Sequence, residues 1–210
     1  MPVFSCKECG RNFELPDATL AKYPGWTPKT CMRCKQPSKQ SSKRVIASLR
    51  EENLTTAEVL RKYSGGPKSG VFTDGAAEPN PGPGGWGVVY VENDRIVREE
   101  CGHEPDTTSN RMELVALIGA CRIVPKGTRA VLYSDSQLCV STFNEWAPAW
   151  EARGWKRKGG AIKNLDLVQE LYALFKARPE LELLWIKAHA GNRWNEYADS
   201  LATAYRRGTR

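Results

Sequence analysis

The pattern of apolar and polar positions divides the chain near residue 68. Beyond that point, short apolar runs typical of strands alternate with longer runs that have helical spacing. The strand-like runs are 70–77, 85–92, 95–103, 129–135 and 181–188. The helical runs are 109–124, 136–147, 164–177 and 192–207. Three consecutive strands, followed by strands that alternate with helices, predict an α/β fold with a mixed sheet and helices on its faces.

A more polar segment precedes this region and predicts a basic linker over residues 38–68. The polar, basic stretch "KQPSKQSSK" (residues 35–43) leads into it, and apolar residues recur at helical spacing over residues 45–49. Thr55 and Glu58 then form the pattern of a capping box, so two short helices are expected. The stretch "SGGPKSG" closes the segment as a flexible joint. The predicted domains are therefore 1–37, 38–68 and 69–210.

Four of the seven cysteines form two C-x2-C pairs, "CKEC" and "CMRC", separated by 21 residues. They are Cys6, Cys9, Cys31 and Cys34. Four thiolates in two such pairs can hold one tetrahedral Zn²⁺, whereas a redox motif would need one pair beside a βαβ unit. Residues 1–37 therefore resemble a short zinc ribbon with one structural ion. The other cysteines are expected to be buried apolar thiols: Cys101, Cys121 and Cys139.

The net charge of +7 is concentrated in the first third of the chain. Residues 1–70 hold 13 Lys/Arg against 6 Asp/Glu, and residues 71–210 hold 18 against 18. A basic N-terminal segment followed by a neutral domain indicates that the N-terminal segment binds a polyanion. The start "MPVFSCKECG" lacks the features of a secretory signal, and no apolar run approaches the roughly 20 residues of a membrane helix. We therefore expect a cytoplasmic, monomeric protein with no membrane partner.

Two aspartates stand at the ends of predicted strands, which is where open α/β sheets build their sites. Asp74 ends one strand and Asp135 another, and two carboxylates placed together repel each other unless a cation lies between them. Glu113 and Asp199 lie in predicted helices. Each acid also has an ordinary alternative. Asp74 could belong to an Asp-Gly turn, and Glu113 could complete a helix cap together with Asn110. Asp135 could cap the helix that follows it, and Asp199 could be a solvated helix residue.

The sequence around these acids resembles type 1 ribonuclease H. Four sequence segments are similar to the four motifs of that family, in the same order, over residues 70 to about 207. They are "FTDGAAEPNPGPGGWG", "TTSNRMEL", "YSDSQ" and "WIKAHAGNRWNEYADSLA". The resemblance implies a five-stranded mixed sheet with helices on both faces. It also implies an endonuclease that hydrolyses the RNA strand of RNA:DNA hybrids. The catalytic residues it implies are Asp74, Glu113, Asp135, His189 and Asp199.

The implied chemistry explains why carboxylates are needed. Phosphodiester hydrolysis requires a hydroxide at neutral pH and a stabilised leaving oxygen, and two Mg²⁺ ions roughly 3.5–4 Å apart supply both. Hard Mg²⁺, for which Mn²⁺ can substitute, selects oxygen ligands. The four acids of the catalytic set would hold the two ions. His189 is implied to have a mobile role in proton handling or product release.

The resemblance also implies a set of residues that bind the hybrid. They are Asn80, Thr108, Asn110, Gln137, Lys156, Arg157, Lys158 and Asn195. Amide side chains suit the RNA 2′-OH because they both donate and accept hydrogen bonds. An alternative for Asn80 is a purely turn-forming role. Ser109 stands where many relatives carry a second asparagine, so one amide contact is expected to be weakened or replaced.

Residues 143–160 match a basic protrusion that some members of the family use to grip the DNA strand. Their three tryptophans are Trp146, Trp150 and Trp155. We expect at least one of them to pack internally and the basic run at 156–158 to face phosphate.

Two alternatives to this interpretation remain open from the sequence. The chain could be a hybrid-binding protein without catalysis, or the zinc module could dock a protein partner instead of nucleic acid. If the module binds nucleic acid, deletion of residues 1–68 is expected to leave an active nuclease with weaker hybrid binding.

Overall fold

The structure, a computed structural model, describes residues 2–22, 25, 27–35 and 53–207 of the chain. The chain separates into two compact units, Met1–Glu52 and Asn53–Arg210. In the smaller unit, β1 (Val3–Ser5) pairs antiparallel with β2 (Asn12–Glu14). Two four-residue helices follow, α1 (Asp17–Leu20) and α2 (Met32–Lys35). The helix expected over residues 45–49 lies outside the described residues.

The larger unit contains five strands and most of the helices that the pattern predicts. The strands are β3 (Gly70–Ala77), β4 (Gly82–Glu92), β5 (Arg95–Thr107), β6 (Ala130–Ser134) and β7 (Leu181–Trp185). The helices are α3 (Thr56–Lys62), α4 (Ser109–Ile123), α5 (Gln137–Ser141), α6 (Ala147–Glu151), α7 (Leu165–Ala177) and α8 (Arg193–Ala202). A π-helical turn (Thr142–Trp146) joins α5 to α6, and a 3-10 turn (Ala204–Arg207) follows α8. None of the described helices is both long and apolar enough to cross a membrane.

The five strands form one mixed sheet in the order β5-β4-β3-β6-β7. Strands β5, β4 and β3 are antiparallel, whereas β3, β6 and β7 run parallel. The predicted five-stranded mixed sheet is therefore confirmed. Strand β5 lies at an edge and is largely exposed, which is why Cys101 is exposed and the expectation that it is buried is wrong. Cys121 and Cys139 are buried, as expected.

Alternating residues of the central strands build one hydrophobic core on each face of the sheet. Val71 and Val88 face the core formed with α4 and α7. Phe72 and Val89 face the core formed with α8. Period-two alternation in β3 and β4 thus places helices on both faces, because each face needs apolar cover.

Helix α3 packs against the larger unit, and the predicted domain boundary near residue 68 therefore lies too far along the chain. The capping box is confirmed: Thr55 Oγ1 accepts from the Glu58 N–H (3.3 Å), and Glu58 accepts from the Thr55 N–H (2.8 Å). Val59 is only 1% exposed and lies in the same core as Phe72 and Trp194. Residues 53–68 thus belong to the larger unit and are not a linker.

The single helix predicted over residues 136–147 is interrupted. Pro148 occupies the first turn of α6, and because proline has no N–H it cannot donate to the Asn144 carbonyl one turn earlier. The chain bridges the interruption with the π-helical turn, in which the Asn144 amide donates to the Leu183 carbonyl at the edge of the sheet (3.1 Å).

Candidate active site

Three acids from separate elements meet where β3 stops pairing with β6. Strand β3 continues to Ala77 along β4, so the expectation that Asp74 ends its strand is wrong. Strands β3 and β6 are parallel with Thr73 opposite Ser134, so that the next residues, Asp74 and Asp135, lie side by side. Glu113 reaches the same place from α4. One carboxylate oxygen from each of the three acids lies within 4.8 Å of the others.

Glycine at position 75 allows α4 to approach this closely. A Cβ atom on Gly75 would lie 2.1 Å from the backbone nitrogen of Glu113 and 2.3 Å from the carbonyl carbon of Met112. Both are backbone atoms and could not move without displacing the helix. The residue after Asp74 therefore has to lack a side chain if Glu113 is to lie beside Asp74 and Asp135.

The electrostatics of this cluster favour a cation. Burial raises the pKa of Glu113 well above its usual value, and the neighbouring charges of Asp74 and Asp135 raise it further. The Gly75 amide and the Ser134 hydroxyl act in the opposite direction. Glu113 Oε2 is buried and has no hydrogen-bond partner among the described residues. Three carboxylates that repel one another, one of them with a buried oxygen that lacks a hydrogen-bond partner, are suited to bind a hard divalent ion such as Mg²⁺.

The capping roles that the sequence left open for these acids are not the ones observed. The N-cap of α4 is Thr108, whose side chain accepts from the Arg111 N–H (3.3 Å), so Asn110 is not the cap. The N-cap of α5 is Ser136, which accepts from the Cys139 N–H (3.4 Å). The ordinary explanations for Glu113 and Asp135 therefore fail.

The fourth predicted acid, Asp199, belongs to a second group on α8. Its carboxylate lies with His189 and Glu196, again with one candidate ligand atom of each within 4.8 Å of the others. The two groups are linked through Asn195, whose Nδ2 donates to Asp135 Oδ2 (3.1 Å) one helical turn before Asp199. Glu196 was not among the site residues predicted from the sequence. Its spacing of three residues before Asp199 on one helical face was the signal available.

The residues expected to bind the RNA strand lie beside the end of β3. Asn80 Oδ1 accepts from the Ser109 N–H (3.3 Å), and Ser109 Oγ accepts from the Ala77 N–H (3.0 Å). Asn110 Oδ1 lies 3.9 Å from Cys139 Sγ. Ser109, which stands where many relatives carry a second asparagine, thus hydrogen-bonds to the backbone of β3.

The remaining predicted contacts lie outside the two carboxylate groups. Gln137, the first residue of α5, is exposed, and so is the basic run 156–158. Trp150 and Trp155 pack against the core, and the Trp155 ring meets Tyr172 edge-on at 5.8 Å. The expectation that at least one tryptophan of this segment packs internally is confirmed.

In the smaller unit, the four predicted zinc ligands converge. Their Sγ atoms all lie within 4.8 Å of one another. The Cys31 N–H donates to Cys6 Sγ (3.3 Å) and, as the largest cause, lowers the pKa of Cys6 to about 6. The thiols of Cys9 and Cys31 raise the pKa of Cys34 to about 12. Four thiolates this close together would repel one another, so all four thiols can lose their protons only when a cation lies between them. A set of four sulfur ligands is typical of Zn²⁺ sites.

Comparison with known proteins places the larger unit in one family. Residues 67–207 match the family model described as RNase H. Ribonuclease HI of Caulobacter vibrioides is 44% identical over 137 residues, which cover 65% of this chain and 91% of that protein. Ribonuclease H of Methylorubrum extorquens is 45% identical over 137 residues, but the match spans only 59% of its length.

Solved structures give the same result. LC9-RNase H1, described as a type 1 RNase H with the type 2 active-site motif, is 38% identical with a TM-score of 0.54. That match covers 67% of this chain and 74% of the other. The PFV RNase H domain, 20% identical with a TM-score of 0.56, shares the fold. These similarities, with the family match over residues 67–207, show that the chain belongs to the ribonuclease H family and is a ribonuclease H endonuclease.

Proposed function

We propose that the chain hydrolyses the RNA strand of RNA:DNA hybrids with the help of two divalent metal ions. The observation that carries this proposal is the cluster of Asp74, Glu113 and Asp135, in which a buried carboxylate oxygen lacks a partner. Asp199 would complete the ligand set from α8. When bound, Mg²⁺ supplies a water of lowered pKa and stabilises the charge on the leaving oxygen.

The chain's own residues would orient this site and move protons. Asn195 fixes the Asp135 carboxylate by donating to Oδ2, and the close approach at Gly75 fixes Glu113. His189 is exposed on the loop after β7, with Nδ1 3.9 Å from Glu196 Oε2. The two ring nitrogens of His189 can donate and accept hydrogen bonds, so the side chain can take part in proton handling beside Asp199.

Discrimination between RNA and DNA would come from neutral polar groups near the end of β3. Asn80, Thr108 and Asn110 lie close together beside the carboxylates, and exposed Gln137 begins the helix after Asp135. Amides and hydroxyls can meet the 2′-OH in a shallow minor groove. The exposed basic run 156–158 would contact phosphates of the DNA strand, which positions the hybrid without reading its sequence.

A cleavage assay tests this function directly. A labelled RNA:DNA hybrid should be cut in its RNA strand in the presence of Mg²⁺, whereas double-stranded RNA and double-stranded DNA of the same sequence should stay intact. Stoichiometric binding of the hybrid without turnover in Mg²⁺ would contradict the proposal and support a non-catalytic binding protein.

We further propose that the smaller unit holds one structural Zn²⁺ and assists binding of the hybrid. Residues 1–52 carry 10 Lys/Arg against 5 Asp/Glu. Four thiolates and one Zn²⁺ together lower that excess of +5 by two, to about +3. Residues 53–210 carry 21 Lys/Arg against 19 Asp/Glu, a net charge of +2, so the smaller unit has the larger net positive charge even with zinc bound.

Deletion of residues 1–52 should weaken binding of the hybrid, raise KM and flatten its salt dependence while kcat is retained. Each phosphate contact contributes roughly 0.9 to the slope of log affinity against log salt, so loss of two or three contacts should lower the slope by about two to three. The cut is placed at 52 because residues 53–66 pack on the catalytic unit. Affinity would be measured by titration between about 50 and 200 mM salt.

The matched control keeps the basic residues and removes the metal site. Replacing Cys31 and Cys34 with serine in the full chain should unfold the smaller unit and reproduce part of the loss. If the deletion changes neither the affinity nor the salt slope, the smaller unit does not bind nucleic acid, and docking of a protein partner replaces this proposal.

A further inference from the structure

The loop that carries His189 has an unfavourable backbone conformation. His189 has φ +48°, in the left-handed region that residues with a side chain rarely adopt, and Gly191 has φ +77°. Such a conformation costs free energy and persists only where neighbouring groups hold it, which is common at functional sites. Residues 187–192, here called the histidine loop, therefore require supports.

Part of this support comes from the loop and from α8. Glu196 Oε1 accepts from the Gly191 N–H (3.2 Å), and its Oε2 lies 3.9 Å from His189 Nδ1. The Asn192 side chain donates to the Lys187 carbonyl (3.5 Å), which closes the loop. Glu196 is thus a positioning residue that contacts both the loop backbone and the imidazole.

The other part comes from residues 53–66, here called the N-terminal strap. Gly65 forms a parallel bridge with Asn192, and its carbonyl accepts from the Arg193 N–H (2.9 Å). Arg193 Nε donates to the Tyr63 carbonyl (2.7 Å). The contact is close: a Cβ atom on Gly66 would lie 2.8 Å from Asn192 Oδ1.

The N-terminal strap has its own anchor, away from the histidine loop. Val59 of α3 is fully buried against the core that includes Trp194 and Tyr197. At the start of the strap, the Leu54 carbonyl accepts from Ser200 Oγ (2.8 Å) on α8. A rigid segment attached to the core thus reaches the loop at its other end. The strap precedes the region matched by the family model, which begins at residue 67.

We propose that the N-terminal strap positions the histidine loop for catalysis, acting through His189. The inference rests on the proposed function, in which His189 acts beside Asp199 during hybrid cleavage. A strap that only adds stability would lower the unfolding temperature without changing kcat. A positioning strap holds His189 at the site and therefore affects kcat more than KM.

The test weakens the end of the strap that contacts the loop and compares two backgrounds. Gly66→Ala adds a methyl group against Asn192, at a residue whose φ of +94° suits glycine. It should lower kcat about tenfold with KM changed less than about twofold. In a His189→Ala background, the same substitution should have almost no further effect, because the strap acts through the side chain already removed. Equal effects in both backgrounds would overturn the proposal.

Two further variants separate positioning from stability. Ser200→Ala removes the hydrogen bond to Leu54 at the far end of the strap, and it should lower the unfolding temperature while leaving kcat unchanged. Gly65→Ala is a milder substitution than Gly66→Ala, because its Cβ would lie 3.2 Å from the Gly191 carbonyl oxygen. If Gly66→Ala does not fold, Gly65→Ala should show the same dependence on His189.

Amide hydrogen exchange supplies a readout that does not depend on cleavage. The amides of Gly191 and Arg193 should lose protection in Gly66→Ala but keep it in Ser200→Ala. If these amides keep their protection in both variants, the strap does not support the histidine loop, even if the enzyme is active. Failure of the wild-type chain to cleave hybrids would instead overturn the proposed function, while loss of protection would still identify the strap as the support of the loop.

Discussion

Asp74→Asn should abolish cleavage of the hybrid while making the metal-free protein more stable. Asparagine keeps the shape of the side chain but removes a charge from the cluster with Glu113 and Asp135, so metal binding is lost and repulsion is relieved. Loss of several kcal/mol of metal-dependent stabilisation corresponds to a fall in turnover of more than about a hundredfold. Turnover and the unfolding temperature in EDTA are the measurements.

The matched control makes the same chemical change at an exposed acid. Asp166, at the start of α7, has a side chain that is 65% exposed, and Asp166→Asn should leave turnover at the wild-type level. Retention of more than about a tenth of wild-type turnover by Asp74→Asn would contradict the assignment of this carboxylate as a metal ligand.

The raised pKa of Glu113 gives the same variant a distinct pH dependence. The folded protein holds the Glu113 proton more tightly than the unfolded chain, whose pKa lies at the usual value of 4.5. Stability of the metal-free protein should therefore fall as pH rises from about 4.5 through the folded pKa. Asp74→Asn removes one cause of the shift and should reduce this fall, which thermal unfolding in EDTA across that pH range would show. If the stability of the variant falls equally steeply with pH, the charge of Asp74 does not raise the pKa of Glu113.

The carboxylate cluster could be predicted from sequence because its geometry is local to regular elements. Asp74 follows the last residue of β3 that pairs with β6, and Asp135 directly follows β6, so the two must lie side by side once those strands pair in parallel. The resemblance of the motif "TTSNRMEL" supplies Glu113 as the third acid. Strand and helix periodicity, together with the resemblance of the motifs, therefore suffices for these three acids.

The supports of the histidine loop could not be predicted in this way. The positive φ of His189 follows from contacts of the loop, and a histidine carries no pattern that signals it. The hydrogen bond from Arg193 to Tyr63 joins residues 130 positions apart. The polar, glycine-rich stretch around Gly65 and Gly66 is typical of a flexible linker, and only the close approach to Asn192 reveals that it is packed.

Gly75→Ala should remove activity and stability together, the second of the two largest effects expected. The added Cβ would lie 2.1 Å from the Glu113 backbone nitrogen, so α4 must move away from β3. Overpacking against backbone costs about 3 kcal/mol, which lowers the unfolding temperature of a protein of this size by about 6–12 °C. Displacement of Glu113 from the cluster should also lower turnover about a hundredfold, since misplacement by about 1 Å has that effect.

The control for Gly75→Ala is a second glycine, on α4 itself. A Cβ on Gly119 would lie 3.3 Å from Val88 Cγ2 and 3.4 Å from the Trp86 ring, which are side-chain atoms that can shift by a few tenths of an ångström. Alanine is also favoured over glycine within a helix by about 1 kcal/mol. Gly119→Ala should therefore keep wild-type turnover, with an unfolding temperature within about 4 °C of the wild type. If Gly75→Ala behaves like Gly119→Ala in both measurements, Glu113 does not depend on the close approach of α4 to β3, and the assembly of the site would need another explanation.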